Sequence, residues 1–327
     1  MRRRAIHFVA ACAWLPFVPI VRSQRASPPV VGFLSSRSPE EAAPHLAAFR
    51  RGLAEQGFED SGSVTIEERW ARGHYDRLSA QAKELLGRHV DVLVAVGGLP
   101  AALAAKEATQ TVPIVFLEGD DPIEAGLVTR MNRPSGNLTG VTFITSQLNG
   151  KRLALLCEGV PDKALVAFLL NPHNPGSVAS QHDVEHAAKT LGHPLLVLRS
   201  TAGQNLADAF AAMAANRARA LVVQNDPYFD SQRDQVVALA AQHRVPAIYH
   251  IREFPAGGGL MSYGASLLDA YRDVGVYAGR ILQGARPSEL PVLRPTRFEF
   301  VINARVAREL GLKLPPRLLV MADEVLQ

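Results

Sequence analysis

Acids, amides and arginines with binding chemistry follow the apolar runs of this sequence, each in the short loop where a run ends. Ser35 and Ser36 follow Val30–Leu34, and Gly97 and Gly98 follow Val90–Val96. Glu118 and Asp120 follow Pro113–Leu117. Asn171 and Asn174 follow Leu165–Leu170, Asn225 and Asp226 follow Ala220–Val223, and Arg252 and Glu253 follow Ala247–Tyr249. Amides at a helix starting near Pro100 suit a ligand carboxylate. Arg252 suits an anion through its planar fork. Asp226 or Glu253 suits an amine, while Phe229 and Tyr249 suit a flat ligand by stacking. Each has a plainer reading: a tight glycine turn, a helix cap at Asp226, an ion pair at Arg252-Glu253, and core aromatics.

Motifs for catalysis are missing. There is no Gly-x-Ser-x-Gly elbow, no Gly-x-x-x-x-Gly-Lys phosphate loop and no paired-cysteine or His-Glu-x-x-His metal spacing. His182 and His186 stand four apart on a helix, which an exposed polar face explains better than half a zinc site. Gly257-Gly258-Gly259 precedes a strand, the wrong context for cradling phosphate. Asn137-Leu138-Thr139 has the form of a glycosylation acceptor and reads as a turn. The sequence points to a binding protein without cofactor or metal, not to an enzyme.

The elements that must position these loops alternate strand and helix, which implies parallel α/β sheets. After the first strand, Ser38-Pro39-Glu40-Glu41 opens a helix with a capping box and proline in its first turn. Leu46, Phe49 and Leu53 share one face, and Gly57 stops it. A second helix carries Leu78, Ala82, Leu85 and Leu86. A further helix and the turn Arg133–Asn137 lead to strand Leu138–Phe143. The pattern then restarts at Leu165, with helices Leu206–Ala215 and Phe229–His243 and strand Leu195–Leu198. The long helix Leu267–Leu282, strands Leu260–Tyr263 and Phe298–Ile302, helix Ala304–Leu310 and a short tail complete it.

The first 23 residues differ. A basic start, Met1-Arg2-Arg3-Arg4, precedes the apolar Ala5–Val21, interrupted by Pro16 and Pro19, and a polar exit. That is the form of a secretory signal peptide, with cleavage after Ser23 or Ala26, by the general or the twin-arginine route. Val9-Ala10-Ala11-Cys12 resembles a lipoprotein box, but few apolar residues precede it and the run continues past it. The formal charge is +4; removing Arg2, Arg3, Arg4 and Arg22 brings the mature chain to 4 − 4 = 0. No basic surface is left to argue for nucleic acid. Cys157 then has no partner for a disulfide.

A set of short motifs recurs in fixed order from about residue 29 to the end. They are Val31-Gly32-Phe33-Leu34-Ser35, Gly97-Gly98-Leu99-Pro100-Ala101, Gly136–Thr142, and Asn171-Pro172 through Asn174-Pro175. Arg252-Glu253-Phe254, Gly258–Gly264, Asp269-Ala270-Tyr271, Tyr277–Leu282 and Val301-Ile302-Asn303 follow. In this order the chain resembles ABC-transporter substrate-binding proteins of the tryptophan/tyrosine-type family. The resemblance implies a type I periplasmic-binding fold, two Rossmann-like α/β lobes joined by a hinge in Venus-flytrap fashion. It implies crossings near Thr142–Gln147, Gly264–Leu267 and Pro291–Arg297. Lobe I is then 29–144 plus 265–290, and lobe II 145–264 plus 296–327. Ser35, Ser36, Gly97, Gly98, Glu118, Asp120, Asn171, Asn174, Asn225, Asp226, Phe229, Arg252 and Glu253 are the expected ligand contacts between them. Implied partners are a small carboxylate-bearing molecule and an ABC permease in the inner membrane, with the chain in the periplasm; a periplasmic sensor serving a membrane receptor is the alternative. Leu99, Ala101 and Ala102 replace family threonines, and Asn225–Phe229 replaces a family polar loop, so the ligand stays open.

Overall fold

The computed structural model describes residues 27–59, 62–134, 136–143, 148–294 and 297–327. The expected signal peptide, and crossing residues 144–147 and 295–296, lie outside them.

Two sheets organise the chain. The first has five parallel strands, β1 Val30–Ser35, β2 Thr65–Trp70, β3 Val92–Val96, β4 Ile114–Glu118 and β5 Leu138–Thr142, in the order β2-β1-β3-β4-β5. Every residue of β3, β4 and β5 is buried, as parallel strands covered on both faces must be. β2 was not read from the sequence. It is the half-buried edge, and Glu67, Glu68 and Arg69 break up its apolar pattern; charge on an edge strand discourages pairing with another chain.

The second sheet has seven strands, β6 Val166–Leu170, β7 Leu195–Arg199, β8 Ala220–Val223, β9 Ala247–Tyr249, β10 Met261–Ala265, β11 Phe298–Asn303 and β12 Glu324–Leu326. Their order is β12-β11-β10-β9-β8-β6-β7, parallel except for β10 against β11.

The helix Leu267–Leu282 follows β10 yet packs on the first sheet and against the helix Pro39–Ala54. Its buried face carries Ala270, Tyr271, Val274, Ala278 and Ile281. Two glycines let the helix backbones touch. A Cβ on Gly275 would lie 2.1 Å from the Phe49 carbonyl oxygen, and one on Gly52 2.0 Å from that of Arg272. Residues 290–293 then run beside β5, where Leu293 N–H donates to Gly140 O and Thr142 N–H to Leu293 O, both at 2.9 Å. The last two strands return to the second sheet.

Three local expectations are corrected. No helix forms between Asp121 and Arg133: residues 122–134 are turns. The Asp121 side chain takes the Ile123 amide at 2.8 Å, and the Leu127 and Val128 amides both donate to Pro122 O, which closes a turn instead of a helical ladder. The helix expected over Phe229–His243 is two, Pro227–Ser231 and Arg233–Gln242. Asp226 caps the first and Pro227 starts it, so it begins early and breaks at Gln232. The short tail is the helix Pro316–Met321 and β12.

Candidate functional site

The strands of both sheets end facing one another, and a cavity of about 40 Å³ lies between them. The first lobe contributes Arg37 after β1, Gly97-Gly98-Leu99 after β3, Leu117–Asp120 at the end of β4, and Phe143. Asn174, Asn225, Pro227, His250 and Ile251 close it from the second lobe, and Ala265, Leu267 and Tyr271 come from the segment joining them. Gly97 and Gly98 hold φ of +83° and +94°, a region L side chains rarely adopt. A Cβ at Gly97 would also fall 2.5 Å from Ser36 Oγ.

Of the expected contacts, Gly97, Gly98, Glu118, Asp120, Asn174 and Asn225 line the cavity. The rest stand elsewhere. Ser36 is buried behind the glycine turn, where its hydroxyl donates to the Gly97 carbonyl, and Ser35 Oγ accepts the Arg37 amide at 3.2 Å. Phe229 is a core aromatic against Tyr228, ring centroids 5.1 Å apart. Arg252 makes a bidentate ion pair with Glu324 on β12, at 3.0 and 2.7 Å. Asn171 turns away to Asp226. The Gly98 amide, expected to face a ligand, donates to Leu117 O at 3.2 Å; the helix Leu99–Ala108 still starts at the wall.

Asp226 caps its helix and also joins the lobes. Its carboxylate accepts from Asn171 Nδ2 at 3.1 Å, Asn174 Nδ2 at 2.7 Å, the Tyr228 amide at 2.9 Å and, from the first lobe, Tyr75 Oη at 2.8 Å. Burial raises its carboxyl, against the pull of those donors.

A second lobe-to-lobe junction was missed by the sequence reading. The Arg37 guanidinium donates to Asp230 and to Glu41. Asp230 Oδ1 lies 3.0 Å from His250 Nε2, and His45 Nε2 lies 3.5 Å from Glu253. Burial would raise the Asp230 carboxyl, but Arg37 and then His250 outweigh it and hold it at about 2. His45 stacks on Tyr271, centroids 5.0 Å apart. Arg37 lies two positions after β1 and His250 directly after β9, so the rule that found their neighbours covers them. Asp230, Tyr75 and Tyr271 lie on helical segments and carry no such signal.

Glu118 is the most unusual wall residue. It is 1% exposed, and Oε2 accepts the Asp120 amide. Burial, and then Asp120, raise its carboxyl well above the usual range. No group of three or more His, Cys, Asp or Glu among the described residues is placed to hold a metal ion.

Residues 40–326 match the model of the family described as ABC transporter substrate binding protein. A tyrosine-binding protein of Clostridioides difficile (strain R20291) is 22% identical over 265 residues, 81% of this chain and 76% of the relative. Among solved structures, an ABC domain in complex with L-Trp from Streptococcus pneumonia superimposes with a TM-score of 0.82 at 24% identity, covering 92% of this chain and all of the other. A conserved domain protein from Vibrio cholerae gives 0.83 at 22% identity with the same coverage. Both show the same two-lobed, type I periplasmic-binding fold.

Proposed function

Since the chain belongs to the ABC transporter substrate binding protein family, we propose that it is the periplasmic solute-binding component of an ABC importer. It holds a small carboxylate-bearing molecule, an amino acid or an aromatic acid, between its lobes and delivers it to a permease in the inner membrane. The observation that carries this reading is the cavity whose wall is drawn from both lobes at the carboxyl ends of their strands, the place where open α/β sheets bind ligands. The helix Leu99–Ala108 points its positive end at the cavity, which favours a carboxylate. Phe143, Tyr271, Leu117 and Ile251 offer apolar surface beside it. The relative that binds tyrosine and the neighbour holding L-Trp support the same ligand class.

Export is supported by the basic and apolar start of the sequence; no described helix is long and apolar enough to cross a membrane. A non-enzymatic role is supported by membership of a substrate-binding family. Asp230 and His250 form an acid–imidazole pair, and among the described residues the wall carries no serine, threonine or cysteine beside it.

Native mass spectrometry of protein purified from the periplasm tests the reading, followed by a thermal-shift screen of amino acids, aromatic acids, sugars and nucleosides. A cognate ligand at a hundredfold excess over its Kd stabilises the fold by about 2.7 kcal/mol. Stabilisation by uncharged sugars alone would overturn the ligand class.

A further inference from the structure

Asp120 lines the cavity, yet its carboxylate reaches the other lobe. A Cβ built on Gly176 would lie 2.5 and 2.6 Å from the two carboxylate oxygens and 2.7 Å from Cγ. The carboxylate fills the place where any other residue at 176 would begin its side chain. The backbone does not ask for glycine there, since φ is −77°, on the side that L residues favour. The space taken by Asp120 does.

Gly176 stands at the start of the helix Ser177–Leu191, where serine, threonine, aspartate or asparagine commonly bonds the first amides. Glycine has no group for this, and the first turn of the helix holds no acid. Asn174 takes the amides of Gly176 and Ser177, at 2.9 and 3.0 Å. Beyond them a helix leaves its early amides without partners of its own.

On its own side Asp120 is fixed by its main chain. Its amide donates to Glu118 Oε2, and its carbonyl accepts the Thr142 hydroxyl at 2.7 Å. The backbone stays with the first sheet and the side chain alone makes the crossing. It crosses at a boundary: a groove of about 660 Å³, drawn from both lobes, shares Leu99 and Asp120 with the cavity and has Gly176 on its own wall.

We propose that Asp120 is a positioning residue that shuts the mouth of the cleft. When the lobes meet, its carboxylate caps the helix Ser177–Leu191 of the opposite lobe, with Gly176 as the seat. A negative group at the positive end of a helix is stabilising, and opening the lobes gives that contact up. The proposal rests on the reading of the cavity as the ligand site; it takes Asp120 out of the ligand's contacts and gives it the passage between cavity and groove.

The test reads the contact without a ligand and then with one. Asp120→Cys is combined with Gly176→Cys and oxidised. Asp120 Cγ lies 2.7 Å from the first side-chain carbon at 176, which brings the pair within reach of a disulfide, whose Cβ atoms stand ~3.5–4.5 Å apart. A bridge between 120 and 176, mapped by mass spectrometry, should form and should lower the radius of gyration below that of the reduced pair. No bridge would overturn the proposal. Asp120→Ala, Gly176→Ala and the double variant are next titrated with L-tryptophan and L-tyrosine as probes. Each single change should speed dissociation by about threefold to tenfold, the scale of a helix cap. The double variant should lose no more than either, because both changes remove one contact. The ratio of the two affinities should keep its wild-type value, which removal of a ligand contact would shift. Additive losses or a changed ratio would overturn the proposal. If neither probe binds the wild type, the reading of the ligand fails, while the bridge still decides the cap.

Discussion

Arg37 and Asp230 stand 193 positions apart and bond across the cleft, at 4% and 2% exposure. One lies in the loop after β1 and the other in the helix Pro227–Ser231, so the contact exists only while the lobes are together. Removing one partner of a buried pair strands the other, at a cost of about 3–5 kcal/mol. Asp230→Asn should therefore favour the open form. Small-angle scattering should give the variant a larger radius of gyration than the wild type, reduced again by saturating ligand. An unchanged radius would show that the remaining junctions hold the lobes unaided.

The same pair sets an acid limit. Asp230 titrates at about 2 in the folded protein, with burial opposed by Arg37 and His250, against about 3.9 unfolded. A depressed carboxyl contributes stability that is present above the unfolded value and is lost as pH falls through the folded one. The loss here, on the order of 2 kcal/mol, should fall between about pH 4 and pH 2. Melting curves of wild type and Asp230→Asn should converge over that window; curves that stay parallel would rule the linkage out.

Asp226→Asn should weaken the protein rather than retune its ligand. An asparagine amide would face the Nδ2 donors of Asn171 and Asn174, leaving at least one buried donor unmatched at about 1–3 kcal/mol. Tyr75→Phe removes the first-lobe donor to Asp226 and the weaker acceptor of the Tyr228 amide at 3.3 Å, and should cost about 1 kcal/mol, felt by the closed form. Chemical denaturation with and without ligand separates the two. Wild-type stability with lost affinity in Asp226→Asn would instead make the carboxylate a direct ligand contact.

Arg252→Ala should be nearly silent. Arg252 and Glu324 each have side chains 41% exposed, and ion pairs open to solvent contribute about 1 kcal/mol or less. Ligand affinity should stay at the wild-type value. A tenfold loss, about 1.4 kcal/mol, would return Arg252 to the binding site.

Gly275→Ala should be among the most damaging single-methyl changes in the chain. The added carbon would fall 2.1 Å from the Phe49 carbonyl and 3.0 Å from the Gly52 Cα, both backbone atoms that can move only if the helices separate. Overpacking of that kind costs about 1–3 kcal/mol or more. Thermal unfolding should show it, and a wild-type midpoint would mean that the two helices slide freely.

How far the sequence carries can be followed through particular residues. Continuous apolar runs such as Val92–Val96 mark strands buried on both faces, and the residue after each run is a cleft candidate by position alone. That logic reaches Glu118, Asn174 and Asn225. It cannot tell a loop residue on the wall from one behind it: Ser36 and Gly97 touch, yet only the glycine faces the cavity. Nor can it see partners far away in sequence. Arg252 looked like an anion clamp because Glu324 is 72 positions further on. Tyr75 escaped notice because the strand before it carries charges instead of an apolar run.

The return of Leu267–Leu282 to the first sheet sets an order of events for a chain made from its N-terminus. The first lobe's strands are complete at residue 142, but the helix Pro39–Ala54 then has an open groove at Gly52 where its neighbour belongs. That groove stays uncovered until residue 282, by which point five of the seven strands of the second sheet have been made. Neither lobe can finish before most of the other exists. A fragment cut at the first crossing would therefore leave the apolar face of the helix Pro39–Ala54 uncovered at Gly52.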